Sequence, residues 1–388
     1  MRWRCYATGM IALPVPPQTP ALVIDKPVLI NNLRTMQAAC DAGGVRLRSH
    51  GKMHKCSTLG RLQVEMGAIG LCCQTVGEAE ASARGGIGDL LVSAPMPAWG
   101  APRLAGIARE TGARISAVCD SAAQIERLGT AALASGVELG CLIDVNIGMH
   151  RVGCTPDDVV PLVELINTTR GLRYDGIQAY FGHLQHMAER RAEANAKGTA
   201  RLKALVDTLS GEGLTPPQVT GGGSGTYALD IANGVFSELQ CGSYALMDAE
   251  YDDCGGPNGD WPFKPALFIA ASVVSAKHKS HVTIDVGLKA TTVDVPPRIM
   301  GGAASGSYWR SLGDEHGAVI HPDARADVEL TDTDPSIPWP KDAPKEGDIV
   351  WLQPGHCDPT INLYDAFFVT NDEGSLDRWP IDARRTSA

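Results

Sequence analysis

The sequence predicts a (β/α)8 TIM-type barrel followed by an all-β domain, and three observations carry that prediction. From about residue 20 to 250, short β-like runs alternate with longer helical patterns. Eight such runs fit into this stretch, each separated from the next by a helical pattern, and eight regular units suit a closed barrel better than a doubly wound sheet. After about Asp260 the helical period disappears and the remaining apolar runs are β-like.

Taken in order, the barrel strands are VRLRSH (45–50), AIGLCCQ (68–74), DLLVSA (89–94), RISAVCD (114–120), VELGCLIDVN (137–146), LRYDGIQAYF (172–181), PQVTGGG (217–223) and SELQCGSYAL (237–246). Helical patterns fill the gaps, among them VGEAEASAR with its glycine stop and a long charged helix reaching about Ser210. In the second domain ALFIAASVVSA, HVTIDVG, GDIVWLQP and AFFVTNDEGSLDRWPI read as strands joined by turns. TPALVID (19–25) adds a strand to that domain before a helix leads into the barrel. The expected boundaries are 26–258 for the barrel and 1–25 with 259–388 for the β domain.

Composition narrows the function classes. The 388 residues carry a net charge of -10, which disfavours a nucleic-acid partner. No apolar run approaches the roughly 20 residues that span a bilayer, so no membrane partner is expected. MRWRCYATGMIALPVPPQTP is broken by prolines and reads as an extended lead-in, with Met10 as an alternative start. The 11 cysteines form no C-x-x-C pair, the usage of reduced thiols in a cytoplasmic enzyme.

Reactive groups in such barrels gather at the carboxyl ends of the strands. Those ends offer His50 and Lys52, Gln74, Asp120, Asn146 with Arg151, then Tyr180, His183 and His186, and finally Gln240, Gly242 and Ser243. A lysine after the first strand is a Schiff-base candidate, although a surface lysine reads the same in isolation. TGGGSGTY (220–227) ends the seventh strand, where barrels commonly hold phosphate, because backbone N–H groups can converge there without side chains in the way. A mobile loop has the same composition. It is neither a Walker loop nor G-x-G-x-x-G. Lysine and cradle together suggest pyridoxal phosphate, linked to Lys52, with its phosphate on Gly222, Gly223, Ser224, Gly225 and the Gly242–Ser243–Tyr244 turn. In PGHCDPTINLYD, His356 and Asp358 are two apart and would share one face of an extended segment, where they can hold a divalent cation. A turn in which Asp358 caps the chain before Pro359 is the alternative.

RSHGKMHK, CCQTVGEAE, TGGGSGTY, ELQCGSYALMDAEY, DEHG and GHCDPT together resemble the D-threonine aldolase family of fold-type III pyridoxal-phosphate enzymes, from about residue 19 to the C-terminus. That family includes D-3-hydroxyaspartate aldolases and D-serine dehydratases. The resemblance implies an alanine-racemase-like barrel plus β domain, a homodimer, and a divalent metal beside the cofactor, with both domains building the site. It makes Lys52 the Schiff-base lysine, places Arg151 and Tyr180 on the cofactor ring with Gln74 nearby, makes His186 the catalytic base, and gives the metal to His356 and Asp358. Related dehydratases carry His-x-Cys at the metal pair, so His-x-Asp favours an aldolase. As a harder ligand, Asp also favours manganese, magnesium or cobalt over a tightly held zinc. His183 departs from the family pattern and competes with His186 as base.

The expected reaction is retro-aldol cleavage of a D-β-hydroxy-α-amino acid to glycine and an aldehyde. D-Threonine is the first candidate substrate and D-3-hydroxyaspartate the second, for which Arg48, His54 or Lys55 would supply the extra cation. A dehydratase, a racemase and a non-catalytic cofactor carrier are the more distant readings.

Overall fold

The computed structural model describes residues 13–185, 187–256, 259–324 and 328–384; the lead-in over 1–12 and the candidate base His186 lie outside them. The chain divides into two compact units. One comprises Asn31–Ala245, Cys254–Phe263 and the segment from Ile381. The other comprises Leu246–Asp253, Lys264–Pro380 and the described residues before Asn31.

All eight expected barrel strands form, and they pair in parallel in chain order. The first is interrupted at Arg48. Its Arg46–Leu47 piece pairs with the eighth strand, Glu238–Leu239, and its Ser49–His50 piece with the second, Leu71–Cys73. One run therefore closes the barrel. Between them lie Asp89–Val92, Arg114–Cys119, Leu139–Val145, Leu172–Ala179 and Val219–Gly221. Two of the helices stop at a left-handed glycine: Gly112 (φ 69°) after Gly100–Thr111 and Gly136 (φ 67°) after Ala122–Ser135. Apolar side chains such as Cys72, Leu91, Val118 and Leu142 pack together on neighbouring strands.

Polar side chains from several strands form a continuous buried chain. Arg48, 2% exposed, donates from Nε to Glu238 Oε1 (3.0 Å) and from Nη1 to Asp89 Oδ1 (2.6 Å). Thr220 Oγ1 donates to the same Glu238 oxygen (2.7 Å) and accepts from Gln240 Nε2 (2.9 Å), which also reaches Gln178 Oε1 (3.0 Å). Gln178 Nε2 donates to Asp144 Oδ1 (3.0 Å). Burial alone would lower the Arg48 pKa, but the Glu238 and Asp89 carboxylates raise it further than burial lowers it. Replacing Arg48 with methionine strands the fully buried Glu238. The expected cost is about 3 kcal/mol or more, read from the urea midpoint of the full chain. A loss below about 0.5 kcal/mol would mean the ion pair contributes nothing net.

In the other unit, Ala21–Ile24 pairs antiparallel with Leu267–Ser275 and parallel with Ala366–Thr370, so the opening segment joins the β domain as expected. Val23, Phe268, Ala270 and Trp351 form its buried centre. Three strands escaped the sequence reading: Arg298–Gly301, Tyr308–Ser311 and Gly317–Ile320. Each is four residues long. A second correction concerns GHCDPT, which is not extended. Only His356 keeps extended backbone (φ -137°, ψ 121°), and Cys357–Ile361 is a short helix. Pro359 fits a first helical turn, where no N–H is required of it. His278 lies shortly before the strand His281–Ile284. Its Nδ1 pairs with Asp332 Oδ2 at 2.7 Å, and its ring stacks on His281 with centroids 4.6 Å apart.

Candidate active site

Lys52 rides on a single 3-10 turn, Gly51–Met53, directly after the first strand and is half-buried. His50 caps that turn, its Nδ1 accepting from the Lys52 N–H (3.4 Å). His50 Nε2 lies 3.1 Å from Ser93 Oγ, and Ser93 Oγ donates to the Cys73 carbonyl (3.2 Å). With the one serine proton committed to Cys73, Nε2 must be the donor, so His50 is a neutral Nε2–H imidazole. Gly51 leaves no room for a side chain, since a Cβ would sit 2.5 Å from Leu71 Cδ2.

Sequence reasoning missed Glu78. It is 5% exposed, accepts the Gln74 N–H (2.7 Å) and lies 3.9 Å from Lys55 Nζ. Burial pushes its carboxyl pKa up, while the Gln74 and Thr75 N–H groups and the Lys55 and Lys52 charges pull it back. The Thr75 cap with Glu three residues on was a legible N-terminal signature; the proximity to two lysines was not. Lys55 and His150 hold left-handed backbone (φ 52° and 56°) in loops after the first and fifth strands.

The glycine loop is built differently from the expectation. Gly225 N–H is spent on Gln185 Oε1 (2.6 Å), and the Gly223 N–H on the buried Asp230 carboxylate. Gly222 takes φ 71°, a conformation that favours glycine. Among the described residues, the backbone N–H groups of Gly222, Ser224, Gly242 and Ser243 have no protein acceptor. Ser224 Oγ accepts the Tyr244 N–H (2.9 Å), tying the loop to the turn after the eighth strand. The Tyr244 side chain is buried in the barrel unit, with its hydroxyl 2.9 Å from Ser49 Oγ.

After the fifth and sixth strands, the Arg151 guanidinium carbon stands 5.6 Å from the Tyr180 ring centre. Asp144, Asn146, Gln178 and Tyr180 line the pocket beside it. Burial lifts the Asp144 carboxyl to about 6, against the Gln178 hydrogen bond. His183 is exposed and faces Gly148 of the preceding loop.

In the β unit, His356 Nε2 and Asp358 Oδ2 are 3.9 Å apart. Two ligand atoms at that separation can share one cation about 2.1 Å from each. Among the described residues no group of three such side chains qualifies, so water or substrate would complete the coordination. Asp294, which the sequence reading passed over, accepts from His356 Nδ1 at 2.9 Å and leaves Nε2 to Asp358. Glu250 lies farther off, 3.9 Å from the same nitrogen. A carboxylate behind a ligating imidazole fixes its ring and tautomer. Asp294→Asn is therefore expected to weaken Mn2+ binding by about 10-fold or more, measured by titration calorimetry or by the signal of free Mn2+ in paramagnetic resonance. An unchanged affinity would reduce Asp294 to a surface contact.

Two family models cover most of the chain. Residues 24–250 match the N-terminal domain of alanine racemase and 266–370 a putative serine dehydratase domain. The chain belongs to the alanine-racemase-like family. It is 39% identical to a 3-hydroxy-D-aspartate aldolase of Paracoccus denitrificans, over 95% of this chain and 92% of that protein. It is 36% identical to a D-threonine aldolase of an Arthrobacter species, over 96% and 97%. Among solved structures, D-threonine aldolase from Filomicrobium marinum superposes with a TM-score of 0.85 at 31% identity, covering 96% of this chain and 97% of that one. The chain is thus an aldolase, a carbon–carbon lyase. These matches are consistent with the pyridoxal phosphate and divalent metal that the sequence motifs imply.

The barrel's residues fit the first of these. Four orphaned backbone N–H groups at Gly222, Ser224, Gly242 and Ser243 suit a phosphate, and Lys52 stands on the turn after the first strand. The His356–Asp358 spacing fits the second as an open, two-residue centre. No helix among the described residues is long and apolar enough to cross a membrane.

Proposed function

We propose that this chain cleaves D-β-hydroxy-α-amino acids between Cα and Cβ, releasing glycine and an aldehyde, with D-threonine as the preferred substrate. The observation that carries the reading is that one chain holds Lys52, a phosphate-ready loop and a His-x-Asp pair, and that its near relatives bear aldolase names over their full length. Pyridoxal phosphate, when bound, supplies an electron sink for the pair released at Cα, and the metal supplies Lewis acidity toward a substrate hydroxyl. Lys52 would hold the cofactor. Arg151 and Tyr180 orient the ring, and the N–H groups of Gly222, Ser224, Gly242 and Ser243 fix the phosphate. His186 takes the β-hydroxyl proton as the carbonyl forms. His356 and Asp358 hold the metal, with manganese, magnesium or cobalt favoured. The protein is expected to work as a homodimer in the cytoplasm.

The choice of D-threonine rests on the cations nominated for a second carboxylate. Arg48 is 2% exposed and committed to Glu238 and Asp89. His54 is fully buried, with its ring nitrogens taken by Gln63 and the Cys56 N–H. Lys55 faces Glu78. The 39% identity to a 3-hydroxy-D-aspartate aldolase keeps that substrate as the second reading. Comparing kcat/KM for the two substrates decides between them: a ratio above one for D-threonine is expected, and a strong preference for D-3-hydroxyaspartate would move the chain to the other branch.

A further inference from the structure

The glycine loop raises a question that phosphate binding does not answer, because two of its glycines face protein. A Cβ on Gly223 would lie 2.6 Å from Gln185 Oε1, and one on Gly225 would lie 2.6 Å from the Gln185 carbonyl oxygen. Both are small because Gln185 lies against them. That side chain is 1% exposed and fully used. Its Oε1 accepts the Gly225 N–H at 2.6 Å, while Nε2 donates to Thr226 Oγ1 (3.1 Å) and to the Phe181 carbonyl (3.3 Å). Thr226 Oγ1 gives its own proton to Asp230 Oδ2 (2.6 Å), which also takes Asn195 Nδ2 through its other oxygen (2.7 Å). The orientation of the amide is therefore fixed at both ends. Gly225 needs an acceptor, and a threonine hydroxyl already donating to Asp230 needs a donor.

We infer that Gln185 is a positioning residue that holds the glycine loop in its phosphate-accepting shape and fastens it to the loop after the sixth strand. It spends the Gly225 N–H and anchors Thr226, as Asp230 spends the Gly223 N–H, so that Gly222 and Ser224 present theirs outward. Its polar atoms are occupied, so it acts through the loop and not on the phosphate itself. The inference rests on the reading that this loop receives the cofactor's phosphate.

The test compares the affinities of the full chain, stripped of cofactor, for pyridoxal 5'-phosphate and for pyridoxal, followed by absorbance. Wild type is expected to favour the phosphorylated form strongly. Gln185→Met keeps the bulk but none of the hydrogen bonds, and it should lower that preference about tenfold, leaving pyridoxal binding within twofold. Gly223→Ala pushes a methyl against Oε1 from the other side and should lower the same ratio, which covers the case in which the methionine variant does not fold. A ratio unchanged in either folded variant overturns the role of Gln185 while leaving the phosphate site intact. A wild-type protein that binds both forms equally well overturns the phosphate site itself.

Discussion

Replacing Lys52 with alanine removes cleavage activity about a thousandfold or more, roughly 4 kcal/mol of barrier. Lys52 is the lysine on the His50-capped turn, and the neutral His50 pins its backbone N–H. The variant keeps the backbone N–H groups of Gly222, Ser224, Gly242 and Ser243, so it still takes up cofactor, with weakened affinity. Borohydride reduction followed by peptide mass spectrometry checks the assignment. The cofactor's mass is expected on the peptide holding Lys52 in wild type and on no peptide of the alanine variant. Label on Lys55 instead would contradict it. Lys55 is near in sequence but 3.9 Å from the buried Glu78 and left-handed in backbone, so Lys55→Ala should cost far less.

Metal removal is the second large effect. Exhaustive chelation is expected to lower cleavage about a hundredfold or more while leaving the bound cofactor's absorbance in place. Added Mn2+ restores the chelated wild type. It does not restore His356→Ala, which loses one of two protein ligands. Easy stripping is expected of a two-residue centre, because no group of three metal-binding side chains stands there among the described residues. Full activity in metal-free buffer, or an active His356→Ala, would remove the metal from the reaction.

The barrel was legible because each strand end carries its own punctuation. Glycine stops and β-branched runs recur along this stretch, and the eight strands form where those signals place them. The β domain was legible only in part: His281–Ile284 stood out by its β-branched, apolar run, whereas Arg298–Gly301 and Tyr308–Ser311 carry too few such residues to do so. At the site, residue type and strand end were enough to nominate Lys52, Tyr180 and the glycine loop. What they could not reveal was who already holds whom. Arg48 reads as an available cation, yet its partner Glu238 is 190 positions away. Gly225 reads as a phosphate donor, yet Gln185 takes its N–H across 40 positions. Asp294 stands 62 positions from the histidine it meets. Such long-range partnerships set which groups remain available for chemistry, and spacing along the chain does not encode them.

The central claim is cleavage between Cα and Cβ, and the identity of the products tests it most directly. The purified protein, supplied with pyridoxal phosphate and Mn2+, is incubated with D-threonine and the products are separated and quantified. Glycine and acetaldehyde in equal amounts are predicted. A keto acid with ammonia in their place would contradict the claim and mean that this chain breaks the bond to the β-oxygen instead.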